Sequence, residues 1–191
     1  MLYTGSATVL RANVKLLKTN TAIVLADTGE IDLQGNTRDA TVLTFNSPAP
    51  LQVSATAAQA IAGGAGGVSA STAAVANLDI KLGTVRVTAD AVESNSFAAC
   101  DSNSSTVATS GDSTILNLRI NGRLIPVSGK PNTKIVIPLV ATVYINERTN
   151  PDVNSIVVNA VRVVVPGLLG VVGAEVVISR AASGIFTCSL V

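Results

Sequence analysis

Histidine and tryptophan are absent from the 191 residues, which hold only two tyrosines and three phenylalanines. The first absence removes the commonest general base and the commonest metal ligand. The second leaves few of the aromatic side chains that line ligand pockets and anchor interfaces. Charge is also scarce: thirteen basic residues stand against twelve acidic ones for a net +1, so no field draws the chain to nucleic acid or anionic lipid. No apolar run of about eighteen residues exists. The oiliest stretch, 161–178, is broken by Arg162, Pro166, glycines and Glu175, so no membrane insertion is expected. Nor does Met1–Ser6 carry a basic and apolar leader pattern, which suggests a mature form or release by another route. Cysteine is limited to Cys100 and Cys188, far apart and without CxxC spacing, so zinc and thioredoxin-like readings have no support. An intramolecular disulfide formed in an oxidising setting is the preferred reading, with two buried thiols as the alternative. Closing so long a loop stabilises by about 4 kcal/mol on a chain-entropy basis.

What the chain does have is small and β-branched residues in period-two patterns. Its organising stretch is 113–148. Leu116, Leu118 and Ile120 alternate there with Asn117, Arg119 and Asn121, as a half-buried strand requires. Asn121-Gly122 is the dipeptide that best supplies positive φ at both centres of a type I′ turn, so Arg123–Val127 should fold back antiparallel. Gly129–Asn132 signals a second turn, and Lys134–Pro138 and Ala141–Arg148 read as further strands, giving an antiparallel meander.

Leu10, Ala12, Val14 and Leu16 alternate with Arg11, Asn13 and Lys15 as a first clear strand, followed by Thr21–Ala26 and Ala40–Phe45. From Leu51 to Val75 the sequence is dominated by Ala, Gly and Ser. Two strands joined by a flexible glycine loop at AGGAGG, 62–67, outweigh a short helix over Ala57–Ala62. Val85, Val87 and Ala89 mark another strand, and Cys100–Gly111 reads as a polar loop with room for a short edge strand. Ser155–Val165 is apolar on both faces, as in the middle of a two-layer structure. Glu175–Ser179 and Ile185–Cys188 come last. About twelve short strands without helical periodicity predict an all-β, antiparallel two-sheet sandwich, jelly-roll-like. Residues 9–191 form its single domain. Residues 1–8 read as an N-terminal extension able to act as a donor strand.

The segments TADAVESNSFAAC (88–100), LNLRINGRLI (116–125), PNTKIVIPLVATVYINERT (131–149), SIVVNAVRVVV (155–165) and GAEVVISRA...C (173–188) resemble, in order and spacing, the choice-of-anchor P family of bacterial surface proteins. The resemblance implies an extracellular all-β module of Gram-positive-type bacteria. It also implies one cysteine after the TADAV segment and one near the C-terminal end, where Cys100 and Cys188 fall, and brings no catalytic residues. The signal peptide and surface anchor usual in such proteins are not seen here.

Candidate sites are few. Asp27, Glu30 and Asp32 lie close together without the spacing of a calcium loop, and Asp90, Glu93 and Asp101 form a looser group; solvated turn acids are the simpler account of both. Asn146-Glu147 reads as a strand-end cap, because no base or nucleophile accompanies it. AGGAGG lacks the GxxxxGK[ST] frame of a phosphate loop. Asn103-Ser104-Ser105 is a formal glycosylation sequon of little meaning in a bacterial protein. With no cofactor expected, the reading is a non-enzymatic structural protein of the bacterial cell or spore surface. Its expected partner is itself, as a homo-oligomer or homopolymer building an extracellular filament, with Met1, Leu2, Tyr3 and Thr4 as the assembly strand. A monomeric adhesin is the alternative, and a glycan-active hydrolase, which needs paired carboxylates in an aromatic-lined cleft, is a more distant one.

Overall fold

The computed structural model describes residues 1–16, 20–47, 51–82, 84–101, 105–166 and 171–188. These form thirteen strands in two antiparallel sheets. Sheet A contains β10 (Thr133–Ile137), β11 (Ala141–Thr149), β12 (Ser155–Pro166), β13 (Val171–Thr187), β1 (Leu2–Leu16) and β2 (Asn20–Asp27), side by side in that order. Sheet B contains β3 (Thr37–Asn46), β4 (Leu51–Ala65), β5 (Val68–Leu82), β6 (Val85–Cys100), β8 (Arg119–Ile120) and β9 (Arg123–Leu124), with β7 (Val107–Leu116) sharing the β6 edge with β8. The sheets stack with β1 over β4 and β5, β13 over β5 and β6, and β12 over β6 and β7. The two-sheet sandwich is as the alternation predicts. Its path differs from a jelly roll. Within each sheet sequence neighbours pair with one another, except that β7 and β8 both join β6, and β13 pairs with β1, so the described strands run as meanders without Greek-key crossings.

A single device shapes both sheets. Across sheet A, Asn146 (φ 51°), Ser179 (φ 56°) and Ala26 (φ 47°) are left-handed in the middle of β11, β13 and at the end of β2. Ala160 of β12 and Val9 of β1 fall at the same level, where the pairing skips a position. Sheet B repeats this with Ala57 (φ 51°), Asn77 (φ 49°) and Asn117 (φ 53°). A left-handed residue in a strand swaps which side chains face inward. Each long strand therefore changes phase once, along a crease that runs across the sheet. In β1 the inward set passes from Tyr3, Gly5 and Ala7 to Leu10, Ala12 and Val14.

The crease divides two kinds of interior. On one side Leu10, Leu51, Leu78, Ile80, Leu118, Ile145 and Ile178 are fully buried in an aliphatic core. On the other the sheets meet through small and polar residues. Ser94 and Ser179 share a hydrogen bond of 3.0 Å, Ser96 and Ser183 one of 2.8 Å, and Ser71 donates to the Ala182 carbonyl at 2.7 Å. These bonds satisfy hydroxyls that would otherwise be costly inside. Side chains this short let the sheets approach closely, and glycines complete the fit: a Cβ on Gly64 would lie 2.9 Å from Tyr3, and one on Gly111 2.4 Å from Val158.

Several sequence expectations change here. Leu116, Leu118 and Ile120 do not share a face, because the left-handed Asn117 flips the phase and leaves Leu116 exposed while the other two are buried. The Asn121-Gly122 turn forms, with φ of 49° and 79°, but its hairpin β8–β9 lies in sheet B and β10–β11 in sheet A, so 113–148 is not one meander. The AGGAGG stretch is no flexible loop. Gly63 and Gly64 lie within β4, and only Gly66-Gly67 (φ 57° and 77°) turn the chain into β5. The loop expected at Cys100–Gly111 is shorter than read, since β7 begins at Val107. Residues 1–8 are not an extension. In the single chain Leu2–Thr8 pair with β13, and Tyr3 and Gly5 also bond Leu33 and Ile31 of the following loop.

Candidate functional site

Cys100 ends β6 and Cys188 follows β13, so their disulfide (S–S 2.01 Å, Cα–Cα 5.7 Å) joins sheet B to sheet A at the serine-lined end. Both cysteines pack against a small cluster of Tyr3, Ile31, Ala62, Ala98 and Ile185. The pairing expected from the sequence is present, and it points to an oxidising compartment, extracellular or periplasmic. Of the expected assembly residues, Tyr3 is buried and accepts a hydrogen bond from the Gly67 N–H at 3.0 Å, while Thr4 donates to Glu30 at 3.2 Å. Met1 and Leu2 are exposed.

The acidic turn is occupied by local partners. Asp27 accepts from Thr8 at 2.9 Å and lies 3.7 Å from Arg11, and Asp32 accepts from Asn36 and Arg38. Asp90 accepts from Asn117 at 2.6 Å and Glu93 from Asn95 at 2.9 Å. Among the described residues no three carboxylates, cysteines or histidines gather as a metal site. Asn103 and Ser104 of the sequon lie outside the described residues.

The most elaborate polar arrangement is on the outer face of sheet A, along the crease. The register places Glu147, Asn159, Arg180, Thr8 and Asp27 in one row across five strands, and Tyr144, Arg162, Val177 and Arg11 in the row on the other side. Arg162 donates Nε to both Glu147 oxygens at 2.9 and 3.2 Å, reaches Glu175 at 3.4 Å and lies 3.9 Å above the Tyr144 ring. Asn159 adds a bond to Glu147 at 2.9 Å. A bidentate guanidinium stacked on an aromatic face is the arrangement that most favours arginine over lysine. Asn146-Glu147 is thus not a strand-end cap. Asn146 is the left-handed residue in mid-β11, its amide donating to the Gly129 carbonyl at 3.0 Å, and it turns Glu147 outward onto Arg162. Sequence reasoning missed this network because its members come from three strands. The Asn-Glu pair was the available signal.

Hydrogen bonding from Arg162 holds the Glu147 carboxyl below its ordinary value of 4.5, against a smaller opposing effect of burial. A carboxyl whose pKa is lowered on folding stabilises above its unfolded value, and that contribution disappears as pH falls through the folded value. Glu147→Gln should therefore cost about 1–2 kcal/mol at pH 7, discounted for partial solvent access, and progressively less below about pH 4.5. Urea melts of both proteins across that range measure it; a penalty independent of pH would contradict the ion pair as its cause.

No protein-family model matches the chain, and no curated protein does. Among solved structures, Ail, the attachment invasion locus protein of Yersinia pestis, is matched over 95% of this chain and 96% of that one, at 8% identity and a TM-score of 0.18. A likeness so low carries no argument about fold or function.

Proposed function

We propose that the chain is a non-enzymatic structural protein of the bacterial cell or spore surface, a self-assembling subunit of an extracellular filament or appendage. The observation that carries this reading is the exposure of large apolar side chains on two different lateral edges of the sandwich. On one side β2 exposes Val24 and β3 exposes Leu43, the latter 78% accessible. On the other, β10 exposes Val136 and the turn after it Leu139, the latter 86% accessible, with Leu124 on β9. Edge strands carry unpaired main-chain groups that add readily to another chain. Two unlike edges that meet head to tail make a heterologous contact, which extends into a filament when its rotation does not close. The disulfide, the close sheet packing and the resemblance to choice-of-anchor P surface proteins all support an extracellular building element. Strand donation by residues 1–8 is a second route, in which a neighbour's Leu2–Thr8 replaces the chain's own beside β13.

Negative-stain microscopy and light scattering of the full chain test the reading. Fibres or large oligomers are expected, with Leu43→Lys and Val136→Lys each abolishing them and leaving a folded monomer. Fibres that resist both substitutions yet vanish on exchange-blocking cross-linking of β1 to β13 would move assembly to the N-terminal strand. A full chain monomeric at high concentration would overturn assembly and favour the adhesin.

A further inference from the structure

Six charged groups along the sheet A crease pair off unevenly. Glu147 and Glu175 both engage Arg162, and Asp27 faces Arg11. Arg180 lies between them in a hollow of about 340 Å³ that Arg11, Asn13, Asn159 and Arg162 also line. It reaches Asn159 Oδ1 at 3.4 Å and, among the described residues, forms no ion pair. A guanidinium carries five N–H donors in a fixed fork. Arg180 is only part-exposed, so burial, and then the charge of Arg11, disfavour its protonated form, against smaller opposing effects of Glu30, Asp27 and Glu147. A guanidinium that lines an open hollow, with a hydrogen bond at 3.4 Å and no ion pair among the described residues, keeps donors for an anion.

We propose that this hollow binds a hexuronate-type acidic sugar, with the sugar carboxylate forked onto the Arg180 guanidinium. Carboxylate geometry matches the fork in a bidentate pair. Arg11 stands on the flank of the same hollow with its one ion-pair partner among the described residues at 3.7 Å, leaving donors for a second contact. Glu147 and Glu175, which also line the hollow, disfavour a compact dianion such as sulfate or phosphate more than a monoanion whose single carboxylate is carried on a neutral, hydroxyl-rich ring. Asn13, Thr149 and Asn159 supply amide and hydroxyl partners for ring hydroxyls around the same hollow. The volume is at the low end of small-molecule pockets, roughly 300–1,000 Å³. This binding does not depend on the assembly reading, since it uses a sheet face and not an edge.

The test is a thermal-shift and NMR titration of the full chain with sodium galacturonate, beside galactose, acetate and sulfate. Galacturonate is expected to raise the midpoint and shift resonances of β12 and β13, and the effect to weaken as salt rises from about 0.05 to about 0.5 M. Galactose, acetate and sulfate at equal concentration should each bind at least tenfold more weakly. Arg180→Gln should abolish the response while leaving the midpoint of the free protein unchanged or higher, because it removes a disfavoured charge. Arg180→Lys, which keeps charge without the fork, should weaken binding at least fivefold and covers the case in which the glutamine variant fails to fold. Galacturonate binding no tighter than acetate or sulfate, or a response that survives both substitutions, overturns the proposal.

Discussion

Replacing Cys100 and Cys188 together by alanine is expected to lower the thermal midpoint by about 9–18 °C. Opening a loop of 88 residues removes about 4.5 kcal/mol on a chain-entropy basis, and in a domain of this length each kcal/mol moves the midpoint by about 2–4 °C. The loss should be large here because of where the bond lies. The aliphatic core is on the far side of the crease, while the disulfide end holds together through serine pairs, a small apolar cluster of Tyr3, Ile31, Ala62, Ala98 and Ile185, and Ile156 and Val158 of β12. Calorimetry with and without reductant checks this: the native chain should fall toward the double variant, and the variant should not respond. A shift of only a degree or two would mean that the sheets are held together without the bond.

Gly111→Ala is expected to cost about 2–3 kcal/mol, at the upper end for overpacking by one methyl. Gly111 lies in β7 facing β12, and a Cβ there would come 2.4 Å from Val158 Cγ2 and 2.8 Å from the Asn95 carbonyl. Neither neighbour is the free end of a flexible side chain, so one sheet must move away from the other and loosen contacts along the strand. Gly66→Asn is the comparison. Its φ is +57°, a region asparagine enters readily, and nothing lies within 4 Å of the added atom, so its effect should stay within about 0.5 kcal/mol. Denaturant melts measure both. Equal costs at the two positions would show that close sheet approach is not what Gly111 serves.

Much of the sandwich was legible in period-two alternation: β2, β3, β10, β11 and β12 begin and end within a few residues of where the sequence puts them. The strands that misled are those crossing the crease. Alternation read through Asn117 assigns Leu116 to the core, because period-two counting has no means of registering a left-handed residue. Asparagine at 77, 117 and 146 is a usable hint, being enriched at positive φ, whereas Ala26, Ala57 and Ser179 offer none. The serine pairs were equally hidden. Ser94, Ser96, Ser179 and Ser183 look like surface positions until the two sheets are laid face to face. The disulfide was legible because only two cysteines exist. The arginine hollow was not, since Arg11, Arg162 and Arg180 become neighbours only through the pairing of β1, β12 and β13.

The position of β13 has a consequence for how the chain reaches this state. It pairs with β1 from Leu2↔Thr187 to Leu16↔Val171 while also pairing with β12, so the middle of sheet A is closed by the last of the thirteen strands in chain order. Contacts this distant in sequence carry a high loop-closure cost and slow folding. Sheet B, whose strands pair with strands near them in sequence, β7 and β8 both joining β6, can form much earlier. Until β13 arrives, β1 and β12 each present an open edge with apolar side chains on its inner face, Leu10 and Val14 on β1 and Val161 and Val163 on β12, the condition under which a nascent chain aggregates or pairs with another copy. Refolding should therefore be biphasic, with sheet B protected from hydrogen exchange first and β1 and β13 gaining protection together in the slower phase.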